Sequence, residues 1–155
     1  LGLSATYNLW PVSRAKWVLR RFDHSAIYVL IAATYTPFIM ALKESYLAIA
    51  MLTGVWCAAI GGVVLKLALP GRYDRLAVGL YLALGWSGVM LYDAVVKAVP
   101  PLSLWLVVAG GVLYSLGVIF HAWQRLRFQN AIWHGFVLLG AACHYTAILD
   151  LIILT

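Results

Sequence analysis

Charged side chains are scarce in this sequence. Only 10% of its 155 residues are charged and 65% are hydrophobic, and the mean hydropathy is +0.93. Soluble domains carry about 25% charged residues and roughly 45–50% apolar ones. A chain of this composition cannot cover itself with polar groups in water, so we expect lipid to be part of its solvent.

The sequence also lacks the motifs of several classes of enzyme. Its two cysteines, Cys57 and Cys143, lie inside apolar runs and form neither a CxxC pair nor a secreted disulfide framework, so we interpret them as packing residues. It contains no P-loop, GxSxG elbow or HExxH motif. Strict polar–apolar alternation in segments of about ten residues is absent, which leaves helices as the spanning elements.

Long apolar runs predict five complete membrane-spanning helices. Each run is long enough at 1.5 Å rise per residue to cross a hydrocarbon core of ~30 Å. The predicted spans are 24–42, 46–69, 75–97, 102–122 and 131–153, and residues 1–10 are predicted to end an earlier span. Since the chain begins at Leu1, we expect its natural start to be missing. The prediction is an all-α, polytopic transmembrane bundle that forms one domain over residues 1–155.

The basic residues alternate between the two ends of the predicted spans. Nine of the eleven lie in three loops, at 11–23, after the second span and after the fourth, and only Lys43 and Lys97 lie at the opposite end. The positive-inside rule therefore predicts a cytoplasmic 11–23 loop and an external C-terminus. The net charge of +6 reflects this topology, and no basic patch interleaved with aromatic residues is present. We expect membrane lipids as partners and no nucleic acid.

Polar residues gather at the predicted cytoplasmic depth. Asp23 opens the first complete span, Asn8 ends the partial one, and His121 ends the fourth. Asn130 and His134 start the fifth and share a helix face, being four residues apart. Ionisable groups inside a membrane are costly, so this cluster is a hypothesis for a functional site. A structural interpretation stays open beside it, with Asp23 as a helix N-cap and His121 as an interfacial residue.

The other histidines are interpreted structurally. His144 lies ten residues after His134, or about 15 Å along a helix, so one metal ion cannot bind both. We expect His144 to be a hydrogen-bonded packing residue near mid-bilayer. His24 follows Asp23 but points about 100° away around the helix, so it is expected to face a neighbouring helix or the headgroups.

Proline and glycine inside the spans predict local features of packing. Pro37 is expected to kink its helix, with Thr34 or Thr36 helping to satisfy the carbonyls that it frees. The glycine pairs at 61–62 and 110–111 predict close approach of neighbouring helices.

Three stretches carry a resemblance to a known family. They are RRFDHSAIYVLIAATYTPF at 20–38, GGVLYSLGVIFHAW at 110–123 and NAIWHGFVLLGAACHYTAI at 130–148. In order and spacing, the chain resembles the hemolysin III branch of the PAQR (progestin and adipoQ receptor) family along essentially its whole length. The resemblance implies a seven-helix membrane fold with an external C-terminus, from which this chain is expected to lack the first helix and most of the second.

The resemblance also implies a zinc site at the cytoplasmic side. Family members hold zinc with a histidine of the second helix, an aspartate-linked water of the third and two histidines of the seventh, and a serine precedes the first histidine by four residues. In this sequence the matching residues are Ser4, Asp23 and His134, whereas Asn8 and Asn130 occupy the other two histidine positions. A neutral amide is a poor zinc ligand, so the site is expected to be degraded.

Three functions follow from this resemblance. We expect a non-enzymatic protein of membrane lipid or membrane-energy homeostasis, whose polar site hydrogen-bonds through Asn8 and Asn130 without a metal. The first alternative is a zinc-dependent lipid amide hydrolase of the ceramidase kind, with Asp23 and His134 on the metal, Asp23 as general base and Ser4 positioning water. A pore, as the hemolysin name suggests, is the second alternative, although few polar residues lie at mid-depth.

Overall fold

The computed structural model describes residues 2–42, 46–68, 74–123 and 125–154, except for the side chains of Asp74 and Arg75. The segments that follow the first and second predicted spans, at 43–45 and 69–73, lie outside these ranges. Every regular element within the ranges is helical. The helices are α1 (Gly2–Leu9), α2 (Arg14–Met40), α3 (Tyr46–Ala68), α4 (Asp74–Trp86), α5 (Tyr92–Ala98), α6 (Pro101–Ala122) and α7 (Gln129–Leu154), with a 3-10 segment at Ser87–Leu91.

Four segments of the described chain are long and apolar enough to cross a membrane. They are Tyr46–Ala68, Leu76–Ala98, Pro101–Ala122 and Gln129–Leu154, and they coincide with four of the five predicted spans. Large apolar side chains on them are exposed, among them Ile60 and Val64 at 58% each, as a lipid-facing surface requires. The predicted all-α, polytopic membrane fold is confirmed.

The span predicted at 75–97 is not one continuous α-helix. It is divided into α4, the 3-10 segment and α5. Ser87 and Gly88 open the 3-10 segment, and both are weaker helix formers than alanine or leucine. Just before the break, Trp86 donates its indole N–H to Ser115 Oγ of α6 at 3.0 Å. The side chain at the boundary is thus held by a neighbouring helix.

Helix α2 begins earlier than predicted, so the expected loop at 11–23 is wrong from Arg14 onward. Ser13 Oγ accepts a hydrogen bond from the Lys16 backbone N–H at 3.3 Å, which is the contact of an N-cap. The segment that follows is rich in alanine, leucine, lysine and arginine, all good helix formers. Helix α2 is not among the four segments above, because basic residues occupy its first part and because Asp23, His24 and the TYTP stretch at 34–37 lower the hydropathy of the rest.

Pro37 lies inside α2, but the threonines beside it do not act as predicted. Thr34 Oγ1 donates to the Leu30 carbonyl at 2.8 Å, and Thr36 Oγ1 donates to the Ala32 carbonyl at 3.0 Å. A proline removes the hydrogen bond to the carbonyl four residues before it, which here is residue 33. Each threonine instead bonds to the carbonyl four residues before its own position, as hydroxyls in helices commonly do.

The described chain divides into two compact units. Unit 1 comprises Leu1–Thr36 and Glu44–Leu84, and unit 2 comprises Pro37–Lys43 and Gly85–Thr155. The core of unit 1 joins α2 and α3 through Tyr28, Ala32, Val55 and Ala59. The core of unit 2 consists of Phe38, Val99, Ala147 and Leu151.

Within unit 2, α6 and α7 pack closely along their lengths. The cause is the small size of Gly110 and Gly140: a Cβ added to either would lie 3.1–3.2 Å from the other's carbonyl oxygen. Backbones can approach in this way only where side chains are absent, which is the usual device of membrane helix pairs.

Candidate functional site

Ser4 and Asn8 lie on one face of α1 in unit 1. The Asn8 side chain donates Nδ2–H to the Ser4 carbonyl at 2.8 Å, a contact between residues one helical turn apart. Asn8 is exposed and Ser4 is half-buried. This hydrogen bond engages the amide nitrogen of Asn8 with the backbone of Ser4.

Asp23 is a half-buried residue in the interior of α2, so the prediction that it caps the helix is wrong. The N-cap contact belongs to Ser13, ten positions earlier in the chain. Among the described residues of unit 1, the Asp23 carboxylate has no hydrogen-bond or ion-pair partner. Its neighbour His24 donates Nδ1–H to the Arg20 carbonyl at 2.8 Å, and the Tyr81 hydroxyl donates to the His24 carbonyl at 2.9 Å. The backbone that carries Asp23 is thereby tied to α4.

Asn130 and His134 lie in the first two turns of α7 in unit 2. His134 Nδ1 is 2.6 Å from the Asn130 carbonyl oxygen. A carbonyl only accepts, so Nδ1 carries the proton and Nε2 is the nitrogen with a lone pair. This is the tautomer and orientation in which a histidine presents Nε2 away from its own helix backbone. The predicted sharing of one helix face is present.

His121 lies beside the start of α7, in the last turn of α6. Its ring lies 5.0 Å from the Trp133 ring, centroid to centroid, and its carbonyl accepts a hydrogen bond from Gln129 Nε2. Between the two helices, Phe128 takes a positive φ of 63°, a conformation that is rare for a large side chain. The connection is therefore held in a tight turn, which brings the ends of α6 and α7 together.

Sequence reasoning missed several buried polar residues. In unit 1, Ser25 and Lys66 are only 4% and 3% exposed. In unit 2, Ser103 is 0% exposed, and its Oγ lies 2.6 Å from Asp150 Oδ2 and 3.0 Å from the Ala147 carbonyl. A serine or a single lysine within an apolar run carries little signal in the sequence. Burial that comes from a neighbouring helix is what distinguishes these residues.

Comparison with known proteins identifies the family. The family model described as "Haemolysin-III related" matches residues 1–145, which is nearly the whole chain. This chain belongs to the haemolysin III-related family. The resemblance seen in the three sequence stretches is thus confirmed, together with the relationship to the PAQR family.

Several curated relatives show how far this haemolysin III-related chain extends. It is 39% identical over 136 residues to "Hemolysin-3 homolog" of Bacillus subtilis (strain 168), covering 88% of this chain and 64% of that protein. It is 39% identical over 127 residues to "Hemolysin-3" of Bacillus cereus, covering 82% and 58%. Human "Monocyte to macrophage differentiation factor" is 32% identical over 143 residues, covering 90% and 59%. The chain spans about three fifths of the length of these relatives. No solved structure matches it.

Zinc is the cofactor that the family resemblance implies, and the donor chemistry of the residues present does not fit it. Unit 1 offers the Asp23 carboxylate with the Asn8 amide, and unit 2 offers the His134 imidazole with the Asn130 amide. Within the described residues of either unit, no three His, Cys, Asp or Glu side chains are grouped to hold a metal ion. A catalytic zinc site normally uses three protein ligands of these types. No chemical step is therefore assigned to zinc.

Proposed function

We propose that this haemolysin III-related protein serves membrane lipid or membrane-energy homeostasis through a hydrogen-bonding polar site descended from a zinc site. The resemblance assigns Asn8, Asp23, Asn130 and His134 to that site. The observation that carries the proposal is the hydrogen bonding of the side chains in the two helical turns that contain Asn8 and Asn130. Each turn is closed by a side chain that donates to the carbonyl one turn away, Asn8 to Ser4 at 2.8 Å and His134 to Asn130 at 2.6 Å.

Such a site favours binding of a polar group over activation of water. An amide supplies both a donor and an acceptor, whereas a zinc ligand must supply a lone pair and no proton. Unit 1 supplies a carboxylate and an amide, and unit 2 supplies an imidazole and an amide; groups of these kinds suit a neutral polar headgroup, which needs hydrogen bonds of both kinds. We place the site at the cytoplasmic side of a bacterial inner membrane, with the C-terminus outside, because nine of eleven basic residues lie at that end of the predicted spans.

The metal-dependent lipid amide hydrolase is the second candidate. The retention of Asp23, His134 and Ser4 at their family positions favours it. In that case Asp23 is the general base and Ser4 helps to position water. The only support for pore formation is the names of the two Bacillus relatives, and those names describe the relatives and not this chain.

The zinc content of the full natural protein separates the first two candidates. We expect the parent to purify with well under one zinc per chain, because two of the three imidazole positions are amides. Changing Asn8→His and Asn130→His together restores three imidazoles, so the double variant is expected to gain about one zinc per chain. Each single variant should gain much less, since ligands held on rigid helices act non-additively.

Elemental analysis of the parent, both single variants and the double variant decides the question. A parent that is already stoichiometric in zinc would refute the metal-free site and favour the hydrolase. A double variant that stays metal-free would show that the family's site geometry is not preserved in this chain.

A further inference from the structure

Helices α2 and α3 of unit 1 pack against each other in a fixed antiparallel register. The Trp56 indole donates to Thr36 Oγ1 at 3.2 Å. Further along the pair, the Tyr28 ring occupies the space where a Cβ on Gly62 would lie, with ring atoms at 2.5–2.6 Å from that position. At the end of the pair that carries Arg21 and Lys66, which we call the basic end, Arg21 Nη1 donates to the Leu67 carbonyl at 3.2 Å. Residues between Arg21 and Tyr28 on this face of α2 are therefore turned toward the last turns of α3.

Arg21 uses only part of its guanidinium in this contact. The Trp17 ring lies 3.5 Å from its Cζ, which fixes the plane of the group by a cation–π interaction. Its Nε is buried and has no hydrogen-bond partner among the described residues. Nε and Nη2 form an edge of the guanidinium that does not include Nη1, the atom bonded to Leu67, and this edge can bind an oxyanion in a bidentate manner. Within the described residues, Arg21 has no carboxylate partner.

Ser25 on α2 and Lys66 on α3 lie close in the chain to the two residues of the Arg21–Leu67 contact. Ser25 lies one turn from Arg21, on the face of α2 that both Arg21 and Tyr28 turn toward α3. It is 4% exposed, and its Oγ has no partner among the described residues. Lys66 directly precedes Leu67 on α3 and is 3% exposed, so the stretch of α3 that Arg21 contacts also carries a buried basic residue. Buried polar groups in native proteins are normally satisfied, which implies an unseen partner for Ser25 and the Arg21 edge.

We propose that Arg21 and Ser25 bind a phosphate group at the basic end of the α2–α3 pair. A phosphate supplies oxygen acceptors for the Nε edge and the serine hydroxyl, and its negative charge matches the Arg21 guanidinium. The favoured source is the headgroup of an anionic phospholipid, because this end of the pair bears the exposed Trp17, at 53%, as an interfacial aromatic would be. This site is separate from the one assigned by the family resemblance, and it does not depend on the proposed function.

Thermal stabilisation of the full natural protein by added ligand tests the proposal. Each variant is compared with its own ligand-free melting midpoint, in detergent, with phosphatidylglycerol, phosphatidylcholine or inorganic phosphate added. Phosphatidylglycerol is expected to raise the midpoint of the parent, and Arg21→Gln is expected to weaken its binding about tenfold or more. Arg21→Lys should retain the charge but lose most of the affinity, because lysine lacks the planar fork.

Ser25→Ala tests the proposed site most directly, because it separates ligand binding from the stability of the ligand-free protein. Its hydroxyl bonds to nothing described, so its removal should leave the ligand-free midpoint unchanged or raised, while weakening phosphatidylglycerol binding several-fold. Arg20→Gln is the matched control, since it removes the same charge from an adjacent, exposed residue. Stabilisation by inorganic phosphate to the same extent would support the site with a soluble phosphate as its source. The proposal would be overturned if Arg20→Gln weakened phosphatidylglycerol binding as much as Arg21→Gln does. It would also be overturned if none of the three added ligands stabilised the parent.

Discussion

Neighbouring glycines in this protein have different roles that their sequence does not distinguish. The sequence predicted that a neighbouring helix approaches closely at both Gly61 and Gly62. In the structure, a Cβ on Gly61 would meet nothing within 4 Å, whereas one on Gly62 would lie inside the Tyr28 ring at 2.5 Å. Tyr28 is 1% exposed and packs on Tyr81 with centroids 4.5 Å apart, so it has little room to move. Only the second glycine is required by packing.

This difference predicts opposite effects of the same substitution. Gly62→Ala is expected to lower the free energy of unfolding by about 1–3 kcal/mol, as overpacking of a filled core does. Gly61→Ala should be neutral or stabilise by up to about 1 kcal/mol, because alanine is the better helix former and no clash arises. Thermal unfolding of both variants in the same detergent measures this. Equal midpoints would contradict the observed packing of Tyr28 on α3.

At the scale of elements, the α6–α7 pair shows how a buried histidine can be structural. His144 donates Nε2–H to the Val107 carbonyl at 3.1 Å, and its ring lies where a Cβ on Gly110 would be. It also meets the Tyr114 ring edge-on at 5.4 Å. The prediction that His144 is a hydrogen-bonded packing residue is confirmed.

Near the start of α6 and the end of α7, the same two helices are joined by a polar pair, Ser103 and Asp150. Ser103 is fully buried, and its only hydroxyl lies between the Asp150 carboxylate and the Ala147 carbonyl. Ser103→Ala is expected to lower the free energy of unfolding by about 1–3 kcal/mol, since it removes the described partner of a carboxylate in apolar surroundings. Thermal unfolding in detergent measures the loss.

A double variant provides the control for this pair. In Ser103→Ala combined with Asp150→Leu, both polar partners are replaced by apolar groups, which can be nearly neutral. The double variant should therefore be more stable than Ser103→Ala alone, with a clear coupling between the two sites. Strict additivity of the two single effects would show that the hydrogen bond does not contribute.

For the whole molecule, the distribution of charge decides the orientation that we propose in the membrane. The described basic residues at the proposed cytoplasmic end include Arg14, Lys16 and Arg20 of α2 and Arg125 and Arg127 before α7. The structure turns most of the predicted 11–23 loop into helix, but Arg14, Lys16 and Arg20 remain close to the start of α2. The positive-inside argument counts charges near the ends of spans, so it is unaffected by this correction.

Accessibility of single cysteines tests this orientation. In a variant without native cysteines (Cys57→Ser, Cys143→Ser), Ser13→Cys and Leu126→Cys are expected to be shielded from an impermeant thiol reagent in intact cells. A cysteine added after Thr155 should be labelled, because the C-terminus is proposed to be outside. Permeabilised cells serve as the control in which all three react. Labelling of Ser13→Cys in intact cells would reverse the orientation and move the candidate site to the external side.

The sequence by itself determined the class of this protein and the approximate position of its long helices. Hydropathy belongs to each residue and adds up along the chain, so 102–122 and 131–153 were predicted close to α6 and α7. The resemblance to the family, which also came from the sequence, implied that Asn8 and Asn130 occupy two histidine positions of the family. Only the tertiary structure decided which glycine receives Tyr28, that Arg21 reaches the Leu67 carbonyl and that Ser25 and Lys66 are buried. These features depend on which face of another helix lies opposite, and that choice is made by residues far apart in the chain.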